Sequence, residues 1–476
     1  MKRNILTFLL IIIALVWAEA QSQPNVVIIL TDDMGYGDLG CYSPESKIAT
    51  PNIDALAESG IMFRDAHAAG AWCVPSRYGM VTGRYPRLMP LKVQNGSLIK
   101  PEQETVATVM KRADYTTACV GKWHLGFDSV DFKNPTQITK LAGGPVDHGF
   151  DYFFGMHASL DIPPYFYIEN DKPVMLPTET VEASISADAT SPVSGAFWRK
   201  GAISPDFKHE EVLDKFLEKA TGFVDSHLEK NADKPFFLYF PFTAPHTPWL
   251  PKKEFVGKSG AGEYGDFVMQ VDDVVGQFVA HLKKKNQLEN TIIIFSSDNG
   301  PVWFSEDVKK FNHKAVGNLR GIKSDMWEGG SRMPFIVRYP KKYAAGVENN
   351  QMIGFTDVIA TLADIVGDKK FKAEDFDSHS FLPALLGDGE KVIRKDLVME
   401  KKVYREGDWK YIDVWGQGGI ELKFAPHADQ IERGYNKGEL YNLAEDLSET
   451  NNLIDKYPKK AAKMKKKLHE ILAEEM

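Results

Sequence analysis

The stretch Asn25-Val-Val-Ile-Ile-Leu30 is an unbroken apolar run of strand length, and Thr31-Asp32-Asp33 follows it directly. Unbroken apolar runs of this kind are typical of strands in a parallel sheet, because helices cover both faces of such a sheet. Three similar runs lie further along the chain, at Tyr115–Val120, Phe236–Phe240 and Thr291–Ser296. We therefore predict that these four segments are central strands of one buried sheet.

Helical patterns lie between these runs, over Asn52–Ser59, Glu104–Ala113, Glu210–Leu228 and Tyr264–Lys284. Strands that alternate with helices predict an α/β architecture with a mostly parallel central sheet. Ligands of such sheets bind beyond the carboxyl ends of the strands. Polar clusters follow the predicted strands at these ends, namely Asp32-Asp33, Lys122-Trp123-His124, His246 and Asp298-Asn299. We expect a functional site along this edge of the sheet.

The pattern changes after Leu385, where shorter strand-like segments replace the long apolar runs. These segments are Asp396–Glu400, Lys410–Asp413 and Gly438–Asn442, and a lysine-rich helix is predicted to begin at Pro458. We predict a large domain over residues 24–385 and a small α+β domain with an antiparallel sheet over residues 386–476. The lysines of the last helix could bind polyanions, although a solvated helix face also explains them.

The N-terminus has the features of a secretory signal peptide. Lys2 and Arg3 precede an apolar run that ends at Trp17, and the small-residue site Ala18-Glu19-Ala20 follows. The run is too short to cross a bilayer comfortably. We predict a signal peptide over residues 1–20 and a secreted or periplasmic protein without a stable membrane anchor.

The charge and cysteine content narrow the classes of function. The 476-residue chain has 65 acidic and 57 basic residues and a net charge of −8. This balance argues against a protein that binds nucleic acid, which normally has a basic surface. Three cysteines in an exported chain are too few for a disulfide scaffold, and at least one of them is unpaired.

The segment Cys73-Val-Pro-Ser-Arg77, which continues as Tyr-Gly-Met-Val-Thr-Gly83, is the most specific motif in the chain. It resembles the signature of the type I, formylglycine-dependent sulfatases of the alkaline-phosphatase-like superfamily, including bacterial polysaccharide sulfatases. In that family Cys-x-Pro-Ser-Arg is followed by two apolar residues and Thr-Gly. The ordinary alternative for an isolated cysteine is a buried structural role.

The resemblance implies an alkaline-phosphatase-like fold and hydrolysis of sulfate esters. It also implies that a maturation enzyme converts Cys73 to formylglycine (3-oxoalanine), whose hydrated aldehyde has two hydroxyl groups. One hydroxyl would attack the sulfur, and the other would release sulfate as the aldehyde forms again. This is covalent catalysis with a built-in release step.

Four oxygen-bearing side chains are metal-ligand candidates, namely Asp32, Asp33, Asp298 and Asn299. Calcium prefers six or more oxygen ligands, and three carboxylates with one carboxamide suit it. Either dipeptide alone is also ordinary turn chemistry. The resemblance assigns all four residues, together with the modified Cys73, to a Ca²⁺ site. It also implies that Asp298 accepts the proton of the attacking hydroxyl.

The segment from Tyr115 to Gly126 resembles the second sulfatase signature, with Asp114 in place of the usual leading glycine. Lys122 and His124 alternate with Trp123, so on an extended segment both would point to one side. The resemblance makes Lys122 a contact of sulfate and formylglycine, and His124 the base that releases sulfate.

Three further positions complete the catalytic set that the resemblance implies. His246, in Ala244-Pro-His-Thr-Pro, and Lys323, in Gly321-Ile-Lys, would bind sulfate and stabilise or protonate the leaving oxygen. Arg77 would hold the formylglycine and the carboxylates beside the metal.

The substrate-binding residues are less clear from the sequence. The loop from Gly155 to Tyr165 lies between the second signature and the motif that contains His246, where sulfatases usually place substrate-selecting loops. His157, Asp161 and Tyr165 could contact a sugar, Trp249 could add an aromatic wall, and a structural turn explains the loop equally well. We expect a sulfated carbohydrate such as a glycosaminoglycan or an algal polysaccharide fragment.

Two other functions remain open from the sequence. A phosphodiesterase or phosphonate monoester hydrolase could use the same scaffold, since fold does not settle function. An inactive relative could bind sulfated glycans without cleaving them, although the complete set of site residues argues against it.

Overall fold

The computed structural model describes residues 23–87, 96–128, 130–187, 189–388, 391–424 and 438–474. The predicted signal peptide at residues 1–20 lies outside these ranges. Within them, no helix has both the length and the apolar character needed to cross a membrane.

The long apolar runs form adjacent strands of one large sheet. The strands of this sheet are β1 (Asn25–Asp32), β2 (Ile61–His67), β3 (Thr116–Lys122), β4 (Tyr152–Met156), β5 (Ile168–Glu169), β6 (Lys172–Pro173), β9 (Phe236–Pro245), β10 (Thr291–Ser297), β11 (Arg332–Arg338), β12 (Val347–Asn349) and β13 (Ile353–Gly354). A separate small ribbon pairs β7 (Glu179–Val181) with β8 (Gly201–Ile203).

The centre of the large sheet is parallel, in the order β10-β1-β9-β3-β4. Antiparallel pairs flank this centre, because β11 joins β10 on one side and β5 joins β4 on the other. The expected mostly parallel sheet is confirmed. The sequence pattern did not indicate β2 and β11, which extend the sheet beyond β10.

Helices cover both faces of this sheet. In chain order the helices of the described residues are α1 (Pro51–Glu58), α2 (Cys73–Thr82), α3 (Val106–Arg112), α4 (Val212–Lys230), α5 (Gly262–Lys284), α6 (Ser305–Phe311), α7 (Glu328–Ser331), α8 (Asp357–Val366), α9 (Leu382–Leu385), α10 (Ile420–Phe424) and α11 (Pro458–Ala473). The last of them, α11, packs against the C-terminal strands and not against the large sheet. The four helices predicted from periodicity correspond to α1, α3, α4 and α5, with ends that differ by up to two residues.

The unbroken apolar run of β1 serves two separate cores. Val26 and Ile28 pack with residues of α2, α3 and α8 on one face, whereas Val27 and Ile29 pack with residues of α1, α4 and α5 on the other. All four side chains are fully buried. Because successive strand residues point to opposite faces, a strand between two helical layers must be apolar at every position.

The C-terminal segment forms the expected antiparallel sheet. Its strands are β14 (Asp396–Met399), β15 (Val403–Glu406), β16 (Trp409–Ile412) and β17 (Glu439–Asn442), paired in that order. The sequence pattern missed β15, which forms a tight hairpin with β16. The lysine-rich helix α11 begins at Pro458 as predicted and buries Met464 and Leu468 in the core of this segment.

A buried ion pair joins the C-terminal sheet to α7, and a second carboxylate of the C-terminal segment shares the same lysine. Lys410 of β16 lies 2.9 Å from Glu328 of α7 and 2.8 Å from Glu449, and all three side chains are fully buried. The predicted domain boundary at residue 385 stays a prediction.

Candidate active site

Parallel pairing brings the first two carboxylates together. In the register of β1 and β10, Thr31 lies opposite Ser297, so Asp32 and Asp298 leave the sheet side by side. Both are fully buried. The order of the strands therefore joins acidic residues that lie 266 positions apart in the sequence.

Asp33 and Asn299 extend this cluster. Asp33 adopts a left-handed backbone with φ of 64°, and its N–H donates to Asp298 Oδ1 at 3.2 Å. The Asn299 amide donates to Asp33 Oδ1 at 2.6 Å. Asn299 Oδ1 is buried, and no donor among the described residues reaches it.

Cys73 faces the cluster from the first position of α2. Its Sγ lies 3.5 Å from Asp32 Oδ1, and the residue is 5% exposed. Burial raises the pKa of the Cys73 thiol to about 12, although Lys122 and Lys323 oppose this shift. The unmodified thiol is therefore protonated and a poor nucleophile at neutral pH.

Arg77 lies one helical turn after Cys73, so both side chains project from the same face of α2. Its Nη2 lies 2.8 Å from Asp298 Oδ2, and its Nη1 donates to the Lys122 carbonyl at 3.1 Å. Burial would lower the pKa of the Arg77 guanidinium, but Asp298 and Asp32 outweigh burial and raise it. Arg77 therefore stays positively charged, and it links Asp298, which follows β10, to Lys122 at the end of β3.

Lys122 ends β3 and pairs with Asp32. Its Nζ lies 2.6 Å from Asp32 Oδ2, and neither side chain is exposed. Burial acts to raise the pKa of Asp32, but Lys122, followed by His246 and Arg77, holds this pKa well below its ordinary value. Asp32 is therefore an anion despite its burial.

His124 lies near Cys73, but its backbone is not in the extended conformation that the sequence pattern predicted for Lys122 to His124. The strand ends at Lys122, and His124 has a left-handed backbone with φ of 58°, so the expected extended segment was wrong. His124 and Cys73 line the same cavity, whereas Lys122 lies beneath it against Asp32. Desolvation, followed by Lys122, lowers the pKa of His124 well below 6.5, which keeps the imidazole neutral.

Asp114, the departure from the second signature, is also left-handed, with φ of 67°. A glycine adopts this backbone at no steric cost, and aspartate is among the residues that tolerate it. The substitution therefore preserves the turn that leads into β3.

Lys323 and His246 approach Asp33. Lys323 Nζ lies 2.6 Å and 2.8 Å from the two carboxylate oxygens, and His246 Nε2 lies 3.6 Å from Asp33 Oδ2. His246 Nδ1 lies 2.7 Å from the Thr247 carbonyl. A carbonyl can only accept, so Nδ1 has the proton and Nε2 faces the cluster.

A cavity of about 640 Å³ opens above these residues. Cys73, His124, His246 and Lys323 lie along its polar side. Aromatic side chains form much of the remaining wall, namely Trp72, Phe127, Phe132 and Phe197. This volume suits a ligand the size of one or two sugar rings.

The structure separates the four expected substrate contacts into two pairs. His157 and Asp161 line the cavity, and within the described ranges the buried Asp161 Oδ1 has no hydrogen-bond donor. Tyr165 does not reach the cavity, because it is fully buried and its hydroxyl donates to backbone carbonyls. Trp249 packs against Tyr264 in the core beneath α5 and contributes no aromatic wall.

Other cavity residues were missed by the sequence reasoning. Arg199 pairs with Asp161 at the cavity, and Ile420 and Lys423 of α10 line it from the C-terminal segment. No local pattern marks Arg199 or Lys423, because surface loops and short helices often have basic residues. Trp72 could have been found, since it directly precedes Cys73.

The donor set fits a hard divalent cation. Asp32 and Asp33 offer carboxylate oxygens that lie within 4.8 Å of each other and of ligand atoms of Cys73 and His246. Asp298 adds a carboxylate whose Oδ1 accepts from the Asp33 N–H, and among the described residues no donor reaches the buried Oδ1 of Asn299. Burial, followed by the neighbouring Asp32, raises the pKa of Asp298 to about 6. A divalent cation relieves this repulsion between carboxylates, and oxygen donors select calcium or magnesium over softer metals.

Comparisons with known proteins agree on one family. The sequence profile of the Sulfatase family matches residues 24–368, and the profile for the C-terminal region of N-sulphoglucosamine sulphohydrolase matches residues 322–476. The chain is 34% identical to an N-acetylgalactosamine-6-O-sulfatase of Bacteroides thetaiotaomicron, over 92% of this chain and 91% of that protein. It is 30% identical to human arylsulfatase A, over 90% and 83% of the two chains.

A solved structure shows the same fold. This is a 6S-sulfatase from a Bacteroides thetaiotaomicron locus for metabolism of multiple glycosaminoglycans, with a TM-score of 0.81 and 30% identity. The match covers 95% of this chain and all of that one. With the family profile covering most of the sequence, the chain belongs to the sulfatase family, and the enzyme that it forms is a sulfatase.

Proposed function

We propose that this sulfatase removes sulfate from a sulfated carbohydrate, with formylglycine at position 73 as the nucleophile and Ca²⁺ as the metal. The observation that carries the proposal is the position of Cys73, whose Sγ lies 3.5 Å from Asp32 Oδ1 beside a sugar-sized cavity. The cation Lys323 and the imidazole of His246, both of which could bind a sulfate group, line the same cavity and lie beside Asp33.

Asp32, Asp33, Asp298 and Asn299 would hold the calcium ion. Bound there, calcium would polarise a sulfate oxygen and favour ionisation of the attacking hydroxyl. Lys122 and Arg77 keep the site near neutrality, because their charges offset those of Asp32 and Asp298. Without these two cations, three buried carboxylates would repel each other.

Conversion of Cys73 to formylglycine would supply the hydroxyl nucleophile that the protonated thiol does not supply. A formylglycine-generating maturation enzyme is the partner that this step requires. Replacing the thiol with an aldehyde lowers the mass of the peptide that contains Cys73 by about 18 Da, as conversion to the proposed covalent nucleophile requires.

The protein's own side chains account for the remaining steps. Lys323 would bind a sulfate oxygen and stabilise charge on the leaving oxygen, because it is a buried cation at the cavity wall. His246 presents Nε2 towards Asp33, a position from which a protonated ring can donate to the leaving oxygen. The neutral His124 can accept a proton from the remaining hydroxyl when sulfate is released.

A carbohydrate substrate is supported by the cavity and by the relatives. Aromatic walls with a few polar groups are typical of sites that bind sugar rings. The relative at 34% identity is named for N-acetylgalactosamine 6-sulfate, and the solved neighbour belongs to a glycosaminoglycan locus. We therefore propose 6-sulfated N-acetylgalactosamine, alone or in an oligosaccharide, as the first substrate to test.

The test uses protein whose Cys73 conversion has been verified by mass spectrometry. We expect release of inorganic sulfate from N-acetylgalactosamine 6-sulfate and from nitrophenyl sulfate, with little activity on nitrophenyl phosphate. A Cys73→Ala variant is the matched control for contaminating sulfatases. Faster cleavage of phosphate or phosphonate esters than of sulfate esters would refute the proposal and favour the alternative enzyme class.

Export is the other part of the proposal. The basic start, the apolar run and the small-residue site at 18–20 support secretion or a periplasmic location. Fractionation of the producing cells, together with N-terminal sequencing of the mature chain near Gln21, tests this directly. An uncleaved chain in the cytosol would contradict it.

A further inference from the structure

The loop that presents Lys323 is contacted along its outer side by residues 416–420, which we call the bracing segment. The Gly418 N–H donates to Asp325 Oδ1 at 2.7 Å, and the Ile420 N–H donates to Ser324 Oγ at 3.3 Å. The Met326 N–H donates to the Gly416 carbonyl at 2.5 Å. Every residue from 324 to 326 therefore has a hydrogen bond to this one segment.

Two glycines permit the close approach. A Cβ at Gly418 would lie 1.6 Å from the Ser324 carbonyl oxygen, and a Cβ at Gly416 would lie 2.2 Å from Trp327 Nε1. Neither glycine has a left-handed backbone. The requirement at both positions is therefore space for the facing loop and not an unusual backbone conformation.

The inner side of the same loop is hydrogen-bonded to Ala71 and Pro301, which lie near the site in sequence segments that precede the loop. The Lys323 N–H donates to the Pro301 carbonyl at 2.9 Å, and the Ser324 N–H donates to the Ala71 carbonyl at 2.8 Å. Ser324 has φ of 76°, which is strained for a residue with a side chain. Contacts on both sides hold this strained turn, and the turn sets the direction of the Lys323 side chain.

Glu439 links the bracing segment to the C-terminal sheet. One carboxylate oxygen accepts from the Gly416 N–H at 2.9 Å, and the other accepts from Trp327 Nε1 at 2.7 Å. The second oxygen also accepts from the Tyr441 hydroxyl at 2.9 Å. Glu439 begins β17 and is buried, so its carboxylate is held in place. This one carboxylate aligns the bracing segment with the loop that presents Lys323.

We propose that the bracing segment, with Gly418 and Glu439 as positioning residues, holds Lys323 in the geometry that binds sulfate. The C-terminal segment thereby controls the chemistry of a site built around Cys73, some 340 positions earlier in the sequence. The inference rests on the proposed sulfate-binding role of Lys323. It assigns a role in the active site to Gly418 and Glu439, neither of which is among the residues that line the cavity.

The test is a double-mutant cycle read by binding of inorganic sulfate, measured by calorimetry on protein with unconverted Cys73. A shift on the order of 1 Å is needed to relieve the contact that Gly418→Ala creates. A displacement of that size weakens the contact between Lys323 and sulfate, so we expect sulfate affinity to fall roughly tenfold or more. In a Lys323→Ala background the same substitution should have no further effect, because its target is already absent.

Further variants distinguish the proposed positioning effect from a general loss of structure. Gly222→Ala is the matched glycine control, because its added Cβ meets nothing within 4 Å, and it should leave sulfate affinity unchanged. If Gly418→Ala does not fold, Glu439→Ala takes its place in the cycle, and Glu439→Gln should restore part of the affinity through its remaining carbonyl acceptor.

The outcomes separate this inference from the proposed function. Equal losses from Gly418→Ala with and without Lys323 would overturn the positioning role, whatever the enzyme hydrolyses. Failure of the wild-type protein to bind sulfate, or of Lys323→Ala to weaken it, would overturn the proposed role of Lys323 and the inference together. The positioning role and the sulfate-binding role of Lys323 would both be supported by one result. In that result Gly418→Ala lowers sulfate affinity only when Lys323 is present, and Gly222→Ala leaves it unchanged.

Discussion

Substitution of Lys122 by methionine tests the buried charge balance of the site. Lys122→Met keeps most of the side-chain volume but removes the ammonium that lies 2.6 Å from Asp32 Oδ2, where both side chains are 0% exposed. The next cation, Arg77 Nη2, is 3.8 Å from Asp32 and lies closer to Asp298. Removing one partner of a buried ion pair costs roughly 3–5 kcal/mol, because the other charge stays desolvated.

The pH dependence of this loss follows from the pKa of Asp32. In the wild-type protein this pKa is depressed, so Asp32 adds stability above its unfolded pKa of 3.8, and that stability is lost as the pH falls through the folded value. In Lys122→Met burial dominates and raises the pKa of Asp32. The destabilisation should therefore be largest near neutral pH and should shrink as acid protonates the carboxylate.

The assay is urea denaturation at pH 7, followed by tryptophan fluorescence, in chelator and again with calcium. Calcium should recover part of the stability of Lys122→Met, because a cation in the site replaces some of the missing charge. Lys200→Met is the matched control, since Lys200 pairs with Glu182 at the surface with side-chain exposures of 61% and 76%. That exposed pair should contribute no more than about 1 kcal/mol. Equal stability losses for the two variants in chelator would refute the reasoning.

Three further predictions concern the nucleophile, the metal and the cavity wall. Cys73→Ala should abolish turnover of nitrophenyl sulfate while Cys41→Ser largely retains it, and equal activities would exclude Cys73 as the nucleophile. Chelation should remove turnover and lower the urea midpoint, with both restored by added calcium; an enzyme indifferent to chelator would contradict the metal assignment. Burial lowers the pKa of His157 to about 4, so the unfolded chain takes up this proton first, and stability falls as the pH drops from 6.5 towards 4. His157→Asn should flatten the pH dependence of the free energy of unfolding, measured by urea denaturation, by up to about 1.4 kcal/mol per pH unit, and an unchanged slope would contradict the shift.

Much of the candidate site could be predicted because its geometry depends on local patterns and one general rule. The apolar runs specify parallel strands, and the polar residues after them must then meet at one edge of the sheet. That rule is sufficient to bring Asp32, Asp33, Asp298 and Asn299 together from the sequence pattern. The four-residue spacing of Cys73 and Arg77 similarly places both on one face of a helix.

The errors occurred where a residue's surroundings are set by distant parts of the chain. His124 was expected on an extended segment, but β3 ends two residues earlier and the chain turns. Tyr165 and Trp249 were expected at the substrate, yet both are buried against neighbours. An aromatic residue in a loop can line a cavity or fill a core, and local sequence does not distinguish the two because both bury apolar surface.

The sequence alone determined the layered fold, and it predicted the candidate site residues and their shared edge of the sheet, because periodicity and motif spacing are properties of short segments. Only the tertiary structure decided what surrounds that centre. Arg199 and Lys423 reach the cavity, and residues 416–420 reach the Lys323 loop, through packing between elements that lie far apart in the sequence. Such contacts depend on how whole elements dock, since the free energy that holds them comes from long-range burial and hydrogen bonding.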